Sequence, residues 1–140
     1  MQGNRTAGNW KKPSDGPSAS CVGSARTQWL NDPTQLPIGQ SAIPDALDHA
    51  AGREVASIRL DNCFSGWDGA ASLGLGFANM TIEATDAFRH LQVYMLEGED
   101  FFCEEPVTHR PDAINTRNGM TELPAGETLS RPVTFRMTDA

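Results

Sequence analysis

Two adjacent glutamates in the stretch FFCEEPVTHRPDAIN, residues 101–115, are the first candidates for chemistry. Alternation along a β-strand would place Glu105 on the same face as Phe101 and Cys103, with Glu104 on the opposite face. We expect Glu105, and not Glu104, to face the interior, where burial would raise the pKa of its carboxyl and strengthen it as a base. Glu105 is therefore the candidate general base. The alternative is that both glutamates are solvated charges that end an edge strand.

The loop after these glutamates contains a histidine between two prolines. Pro106 ends backbone hydrogen-bond donation at the strand end, and Pro111 favours an extended conformation of the residue before it. His109 follows Glu105 by four positions, which would place it at the rim of a cleft built around that strand end. The alternative interpretation is a surface histidine without a role in a site.

A second cluster, LDNCFSGWDG at residues 60–69, combines a carboxylate with two aromatic rings. We expect Asp61 at the end of a strand, just before a turn rich in Gly, Ser and Asp. Sugars suit pockets with few fixed polar groups and an apolar wall, so Asp61 and Trp67 are candidate sugar-binding residues. The alternative is that Trp67 and Phe64 belong to the core and Asp61 only opens the turn.

The cysteines and histidines do not have the spacing of a metal site. Cys21, Cys63 and Cys103 are far apart and odd in number, which argues against both a disulfide framework and a zinc site. The three histidines show no ligand spacing either. The sequence therefore indicates no metal and no cofactor, and the cysteines are expected to be free thiols in the interior.

Length and charge suggest one domain preceded by a leader. The chain has 140 residues and a formal net charge of −7, and a chain of this length commonly forms a single domain. Residues 1–26 contain four basic residues and one acidic residue, with no hydrophobic period, so we expect a poorly ordered leader before residues 27–140. Nucleic-acid binding is disfavoured because the basic residues are scattered and the acidic remainder repels phosphate.

No apolar run is long enough to cross a bilayer, and the N-terminus lacks the apolar core of a secretory signal. A cytoplasmic location without membrane association is therefore expected.

Short apolar segments separated by turn signals predict an all-β antiparallel β-sandwich. Only residues 45–52, DALDHAAG, could form a turn or two of helix. The predicted strands are Thr27–Leu30, Val55–Asp61, Ala71–Leu75, Met80–Ala84, His90–Leu96, Phe101–Glu105 and Pro132–Thr138.

Three stretches together resemble the C-terminal portion of the aldose 1-epimerases, or mutarotases: residues 60–69, residues 91–115 and GMTELPAGETLSRPVTFRM at 119–137. The resemblance covers about residues 27–140. It implies part of the large sandwich called the galactose mutarotase-like supersandwich, with an open cleft for a free aldose of the galactose or glucose class. In that family a carboxylate base and a histidine acid interconvert the α and β anomers by opening the sugar ring. Glu105 matches the base, and Asp61 matches the aspartate that hydrogen-bonds a sugar hydroxyl.

The family's acid histidine, which precedes a Tyr-Phe pair, has no match among His49, His90 and His109. A truncated family member with an unrelated leader is therefore expected, and its activity stays open. Two alternatives remain, a non-catalytic carbohydrate-binding fragment and a glycosidase that uses Asp61 and Glu105 as a carboxylate pair. An incomplete sandwich would also expose strand edges, which predicts self-association.

Overall fold

The structure is a computed structural model that describes residues 10–11, 20–50, 52–55, 59–96 and 101–140. The strands of this part of the chain are, in order, β1 (Trp10–Lys11), β2 (Ser20–Gly23), β3 (Thr27–Asn31), β4 (Pro37–Ala42), β5 (Arg53–Glu54), β6 (Leu60–Ser65), β7 (Ala70–Gly74), β8 (Ala78–Ala84), β9 (His90–Met95), β10 (Phe101–Val107) and β11 (Val133–Asp139). They form two sheets, of order β1-β10-β9-β6-β3-β4 and β11-β8-β7-β2-β5, and neighbouring strands are antiparallel throughout. The prediction of an all-β antiparallel sandwich is confirmed.

Period-2 alternation builds the core between the two sheets. On β9, Leu91, Val93 and Met95 are buried, while the residues between them are only partly buried. These side chains meet the apolar face of the second sheet, where Leu73 and Ile82 are 2% and 0% exposed. One face of the six-stranded sheet is therefore committed to the core, and the other face is free to carry a site.

Helical structure is scarce in the described residues. The predicted helix at residues 45–52 is reduced to one 3-10 turn, Asp45–Leu47. A single turn of α-helix, α1 (Ala113–Thr116), follows β10 and was not predicted. No helix in the described part of the chain is long and apolar enough to span a membrane.

Several strand boundaries differ from those predicted. β6 begins at Leu60 and runs to Ser65, so Asp61 lies near the start of a strand and not at its end. The predicted segment before Leu60 falls partly on residues 56–58, which lie outside the described residues. The sequence analysis did not predict β4, because Pro37 and a glycine lower the strand propensity of this segment. β4 lies at the edge of its sheet, where a strand tolerates both residues.

The expected leader contributes two strands to the fold, β1 at the edge of the six-stranded sheet and β2 within the second sheet. β2 pairs with β5 on one side and with β7 on the other, and Cys21 is 1% exposed. The expectation of poor order is therefore wrong for residues 20–23, whose core contacts come from distant parts of the chain. Residues 1–9 and 12–19 of the expected leader lie outside the described residues.

Candidate functional site

An open cleft of about 1210 Å³ lies on the outer face of the six-stranded sheet. Its floor consists of alternate residues of β6, β9 and β10, and one wall is the segment 106–115 that leads into α1. The position follows from the alternation, because residues between core positions must point to the outer face. The cleft brings together Asp61, Glu105 and His109, three of the four residues that the sequence singled out.

A row of three polar side chains crosses the middle of this floor. Gln92 Nε2 donates a hydrogen bond of 3.1 Å to Asp61 Oδ1. Glu105 lies directly opposite Gln92 in the register of β9 and β10. All three side chains are partly buried. The sheet therefore holds an amide between two carboxylates, in a place open enough for a polar ligand to reach them.

Aromatic rings cover the neighbouring part of the floor. Tyr94 lies opposite Asp61 in the register of β6 and β9, and its ring stacks on Phe101 with centroids 5.8 Å apart and an angle of 15°. Both rings line the cleft. An aromatic surface beside carboxylates suits the C–H face and hydroxyls of a sugar. Sequence reasoning missed Gln92 and Tyr94, although their alternation with the core residues of β9 could have identified them.

Polar groups on the same face of the sheet meet at Ser65. Its Oγ accepts hydrogen bonds from Trp29 Nε1 at 2.8 Å and from Gln40 Nε2 at 3.2 Å. His90 Nδ1 lies 2.8 Å from the same oxygen. Burial lowers the pKa of His90, and the charges of His109 and Arg110 lower it further.

The segment after β10 brings two basic side chains to the cleft. The guanidinium of Arg110 lies 5.4 Å from the centre of the Trp29 ring, and Arg110 Nε donates a 3.1 Å hydrogen bond to the carbonyl of Asn118. His109 lines the cleft and is exposed, with Nδ1 3.3 Å from Thr108 Oγ1. The expectation that His109 lies at the rim agrees with this position, while its contact with a sugar remains a prediction.

The two adjacent glutamates have environments opposite to the expected ones. Glu104 is 1% exposed and lies in the interior between the sheets, where Cys21 Sγ donates a hydrogen bond to its Oε1. Burial raises the pKa of Glu104 to about 7, although the hydrogen bond from Cys21 opposes this rise. Glu105 is only partly buried and faces the cleft. The expectation that Glu105 faces the interior was wrong, because β10 has an aromatic residue on each face and alternation alone does not tell which face meets the other sheet.

Trp67 belongs to the core. It is 4% exposed, and its Nε1 donates a 3.0 Å hydrogen bond to the carbonyl of Ala70. Its ring packs with Phe64 and other buried residues between the sheets. The prediction that Trp67 binds sugar is therefore wrong. The turn that follows β6 directs this side chain inward, and the aromatic surface of the cleft comes from Tyr94 and Phe101.

No group of three or more histidine, cysteine or acidic side chains in the described residues is arranged to hold a metal ion. The three cysteines are buried and none of them forms a disulfide, and Cys63 and Cys103 line the cleft.

No protein-family model matches this sequence, and no curated protein matches it. Solved structures do resemble it. The "putative aldose 1-epimerase" of Escherichia coli K12 superposes with a TM-score of 0.81 at 20% sequence identity, over 94% of this chain and 48% of that one. A galactose mutarotase-like protein of Clostridium acetobutylicum gives a TM-score of 0.79 at 17% identity, over 94% and 46%. A protein of Synechocystis gives 0.71 at 14% identity, over 96% and 44%.

The chain spans just under half the length of these three proteins. The matched share of this chain is larger than residues 27–140 alone could supply, so the similarity extends to residues before Thr27. At these identities the comparison concerns the fold and not the chemistry. The chain has the two-sheet, all-β fold found in the galactose mutarotase-like proteins.

Proposed function

We propose that this protein interconverts the α and β anomers of a free aldohexose, with Glu105 as the base. The observation that carries the proposal is the row Asp61, Gln92 and Glu105, which lies on one face of the sheet in an open cleft. The fold similarity to the "putative aldose 1-epimerase" and to the galactose mutarotase-like protein supports a sugar of this class as the substrate.

The reaction requires a base close to the anomeric hydroxyl. Glu105 takes the proton of the C1 hydroxyl, and the bond between C1 and the ring oxygen breaks. The ring oxygen keeps the electron pair of that bond and takes up a proton from water in the open cleft. Rotation about the C1–C2 bond followed by the reverse steps gives the other anomer. A well-placed proton-transfer group contributes roughly a hundred- to ten-thousand-fold to a rate, which is enough to accelerate a reaction that already proceeds in water.

The remaining groups would hold the sugar. Asp61 accepts a hydrogen bond from Gln92 and retains acceptor sites for a sugar hydroxyl. Tyr94 and Phe101 offer an aromatic surface to the C–H face of the ring. His109, exposed at the rim, is placed to contact a hydroxyl at the open side of the cleft.

A second candidate is a protein that binds the sugar without catalysing its epimerisation. It is favoured by the make-up of the cleft floor, because the hydrogen bond between Gln92 and Asp61 and the aromatic surface of Tyr94 and Phe101 suit the binding of a sugar. Such a protein would use the same cleft residues for binding, without the proton transfer.

Polarimetry of freshly dissolved α-glucose or α-galactose tests the proposal. The wild-type protein should accelerate mutarotation, and Glu105→Gln should lower the rate roughly a hundred-fold or more. Glu122→Gln, which changes an exposed glutamate that does not line the cleft, serves as the matched control and should keep the wild-type rate.

Three other outcomes distinguish the alternatives. Thermal stabilisation by sugar without acceleration indicates the binding protein. Release of nitrophenol from a nitrophenyl glycoside indicates a glycosidase. Acceleration that survives in Glu105→Gln contradicts the assignment of Glu105 as the base.

A further inference from the structure

Several parts of the fold hold the side chain of Arg110 in place. Its guanidinium carbon lies 5.4 Å from the centre of the Trp29 ring, and a 2.8 Å hydrogen bond from Nε1 to Ser65 Oγ fixes that ring. Arg110 Nε donates a 3.1 Å hydrogen bond to the carbonyl of Asn118. The methylene groups pack closely on Gly119, where an added Cβ would lie 3.4 Å from Arg110 Cγ. The long side chain has therefore lost much of its freedom before any ligand binds.

The charge of this guanidinium is not neutralised within the described part of the chain. An arginine has five N–H donors, and of those of Arg110 only Nε has a hydrogen-bond partner among the described residues. No carboxylate of these residues forms an ion pair with it. Stacking on Trp29 uses the face of the guanidinium and leaves its N–H edge free. Because Arg110 lines the cleft and is only partly buried, its remaining donors are available to a ligand there.

The end of the cleft at Arg110 has a positive potential, whereas the floor carries carboxylates. The effect is seen at His90, on the same face of the sheet. Burial lowers the pKa of His90, and the charges of His109 and Arg110 lower it further. Asp61 and Glu105 lie on the floor of the same cleft. The cleft therefore presents hydrogen-bond acceptors to one part of a ligand and a cation to another part.

The span from Glu105 to Arg110 fits one sugar ring. Trp29 lies on β3, three places from β10 in the sheet, and its ring contacts Ser65 on β6. A guanidinium above that ring lies two to three strand spacings from β10, roughly 10–14 Å at the backbone. Hydrogen bonds of about 2.8 Å at each end leave room between the two side chains for a pyranose ring and the group attached to it.

We infer that Arg110 binds the carboxylate of a sugar acid, so that the preferred ligand of the cleft is a hexuronate, an aldohexose whose C6 is a carboxylate. This inference rests on the proposed function, because it concerns the same cleft and the same base. The planar guanidinium donates two parallel hydrogen bonds to the carboxylate. The C6 group thus holds one end of the ring, and the C1 hydroxyl faces Glu105.

The acidic residues of the cleft favour a singly charged group over a phosphate. Asp61, Glu105 and Asp112 all line the cleft. A sugar phosphate carries close to two negative charges at neutral pH, and three carboxylates repel it while one guanidinium attracts it. A carboxylate brings a single charge and matches the single guanidinium of Arg110.

Exchange between the two anomers, measured by NMR at equilibrium, tests the preference for a sugar acid. Galacturonate and galactose differ only at C6, and the methyl ester of galacturonate is its uncharged counterpart. We expect KM for galacturonate to be at least about ten-fold below KM for galactose and for the ester, as expected for a hydrogen bond to a charged group. Equal KM values for the three sugars would overturn the inference and leave the proposed function standing. A lower KM for galactose 6-phosphate than for galacturonate would overturn the assignment of a singly charged group.

Arg110→Gln should raise KM for galacturonate about ten-fold and change KM for galactose by less than about two-fold. Arg131→Gln changes an exposed arginine that does not line the cleft, so this matched control should keep both values. Circular dichroism and the melting temperature show whether Arg110→Gln is folded. An equal rise in KM for both sugars in the folded variant would show that Arg110 only supports the wall of the cleft, which overturns the inference.

Salt provides a test that needs no variant. Added sodium chloride screens the attraction between a bound carboxylate and the guanidinium. KM for galacturonate should therefore rise with salt in the wild type, while KM for galactose stays constant. The same salt dependence for both sugars would contradict the inference.

The Nε–H signal of Arg110, assigned by its loss in Arg110→Gln, reports binding without any reference to activity. Galacturonate should shift this signal in the wild type, and galactose should leave it nearly unchanged. A shift without acceleration of mutarotation supports the carboxylate site and refutes the epimerase in favour of the sugar-binding protein. Acceleration of galactose mutarotation without a shift by galacturonate refutes the inference alone. If galacturonate causes no shift and neither sugar is accelerated, the proposed function and the inference both fail.

Discussion

Gln92 donates a 3.1 Å hydrogen bond to Asp61 from a position directly opposite Glu105. The amide thus orients one carboxylate of the cleft and lies beside the other. Removal of this side chain leaves Asp61 without the donor that fixes its rotamer, while the backbone pairing of β6, β9 and β10 is unaffected.

Gln92→Ala should therefore weaken sugar binding more than it slows the chemical step. We expect KM for galactose or glucose to rise about ten-fold, the size expected for one lost hydrogen bond, with a smaller change in kcat. Initial mutarotation rates across a range of sugar concentrations give both quantities. A fall in kcat with unchanged KM would show instead that Gln92 acts on the transition state.

The buried carboxyl of Glu104 should make the stability of the protein depend on pH. Its pKa is raised from 4.5 to about 7 in the folded protein, mainly by burial. Between these two values the folded state holds a proton that the unfolded state has released, so the free energy of unfolding falls as pH rises. The contribution is complete below pH 4.5 and is lost by up to about 3 kcal/mol as pH rises through 7.

Urea unfolding at a series of pH values between 4.5 and 8 measures this decline. Glu104→Gln keeps the shape of the side chain and removes its titration, so its stability should be flatter over the same range. Glu122→Gln, at an exposed position, should retain the wild-type slope. An equal slope in Glu104→Gln and the wild type would contradict the assignment.

Gly69 should be the least replaceable of three glycines. Its φ is +90°, and a Cβ there would lie 2.7 Å from the carbonyl oxygen of Ala84. Gly126 has a similar φ of +87° with open space around it, and Gly39 has neither restriction. Left-handed backbone costs a non-glycine residue about 1–2 kcal/mol, and the clash adds to that cost at Gly69.

We expect Gly39→Ala to be nearly neutral, Gly126→Ala to lower the free energy of unfolding by about 1 kcal/mol, and Gly69→Ala to lower it by roughly 3 kcal/mol. Chemical unfolding of the three variants gives the ranking. Equal losses at Gly69 and Gly126 would show that the turn shifts to relieve the contact.

An apolar strip on β11 should promote self-association. Phe135 and Met137 are 37% and 60% exposed, although they lie on the same face as Val133, which packs against the core. Their partners on β8 are the buried Ile82 and the partly buried Met80, which packs against the core. The strip thus continues the interior surface to an edge of the second sheet, where another apolar surface could cover it.

Met137→Glu should lower the weight-average mass seen by sedimentation at high protein concentration. Thr138→Glu adds the same charge on the opposite face of the strand and should leave the mass unchanged. A wild-type protein that stays monomeric at all concentrations would argue against the strip as a contact surface.

The sequence by itself determined the fold class, most of the long strands and the turn after β6. Alternation is a local property, because successive side chains of a strand must point to opposite sides. Alternation placed Glu104 and Glu105 on opposite faces of β10. It likewise places the core residues of β9 on one face and Gln92 and Tyr94 on the other.

Only the tertiary structure decided which face of each strand meets the other sheet. Glu104 is buried because Cys21, 83 positions away, belongs to the sheet packed against it. Trp67 lies in the core rather than in the cleft for a similar reason, since its surroundings come from several strands. Ser65 is 25 positions from His90 and 36 from Trp29. Contacts of this kind depend on how the sheets pair and pack, and a pattern of period 2 contains no information about that packing.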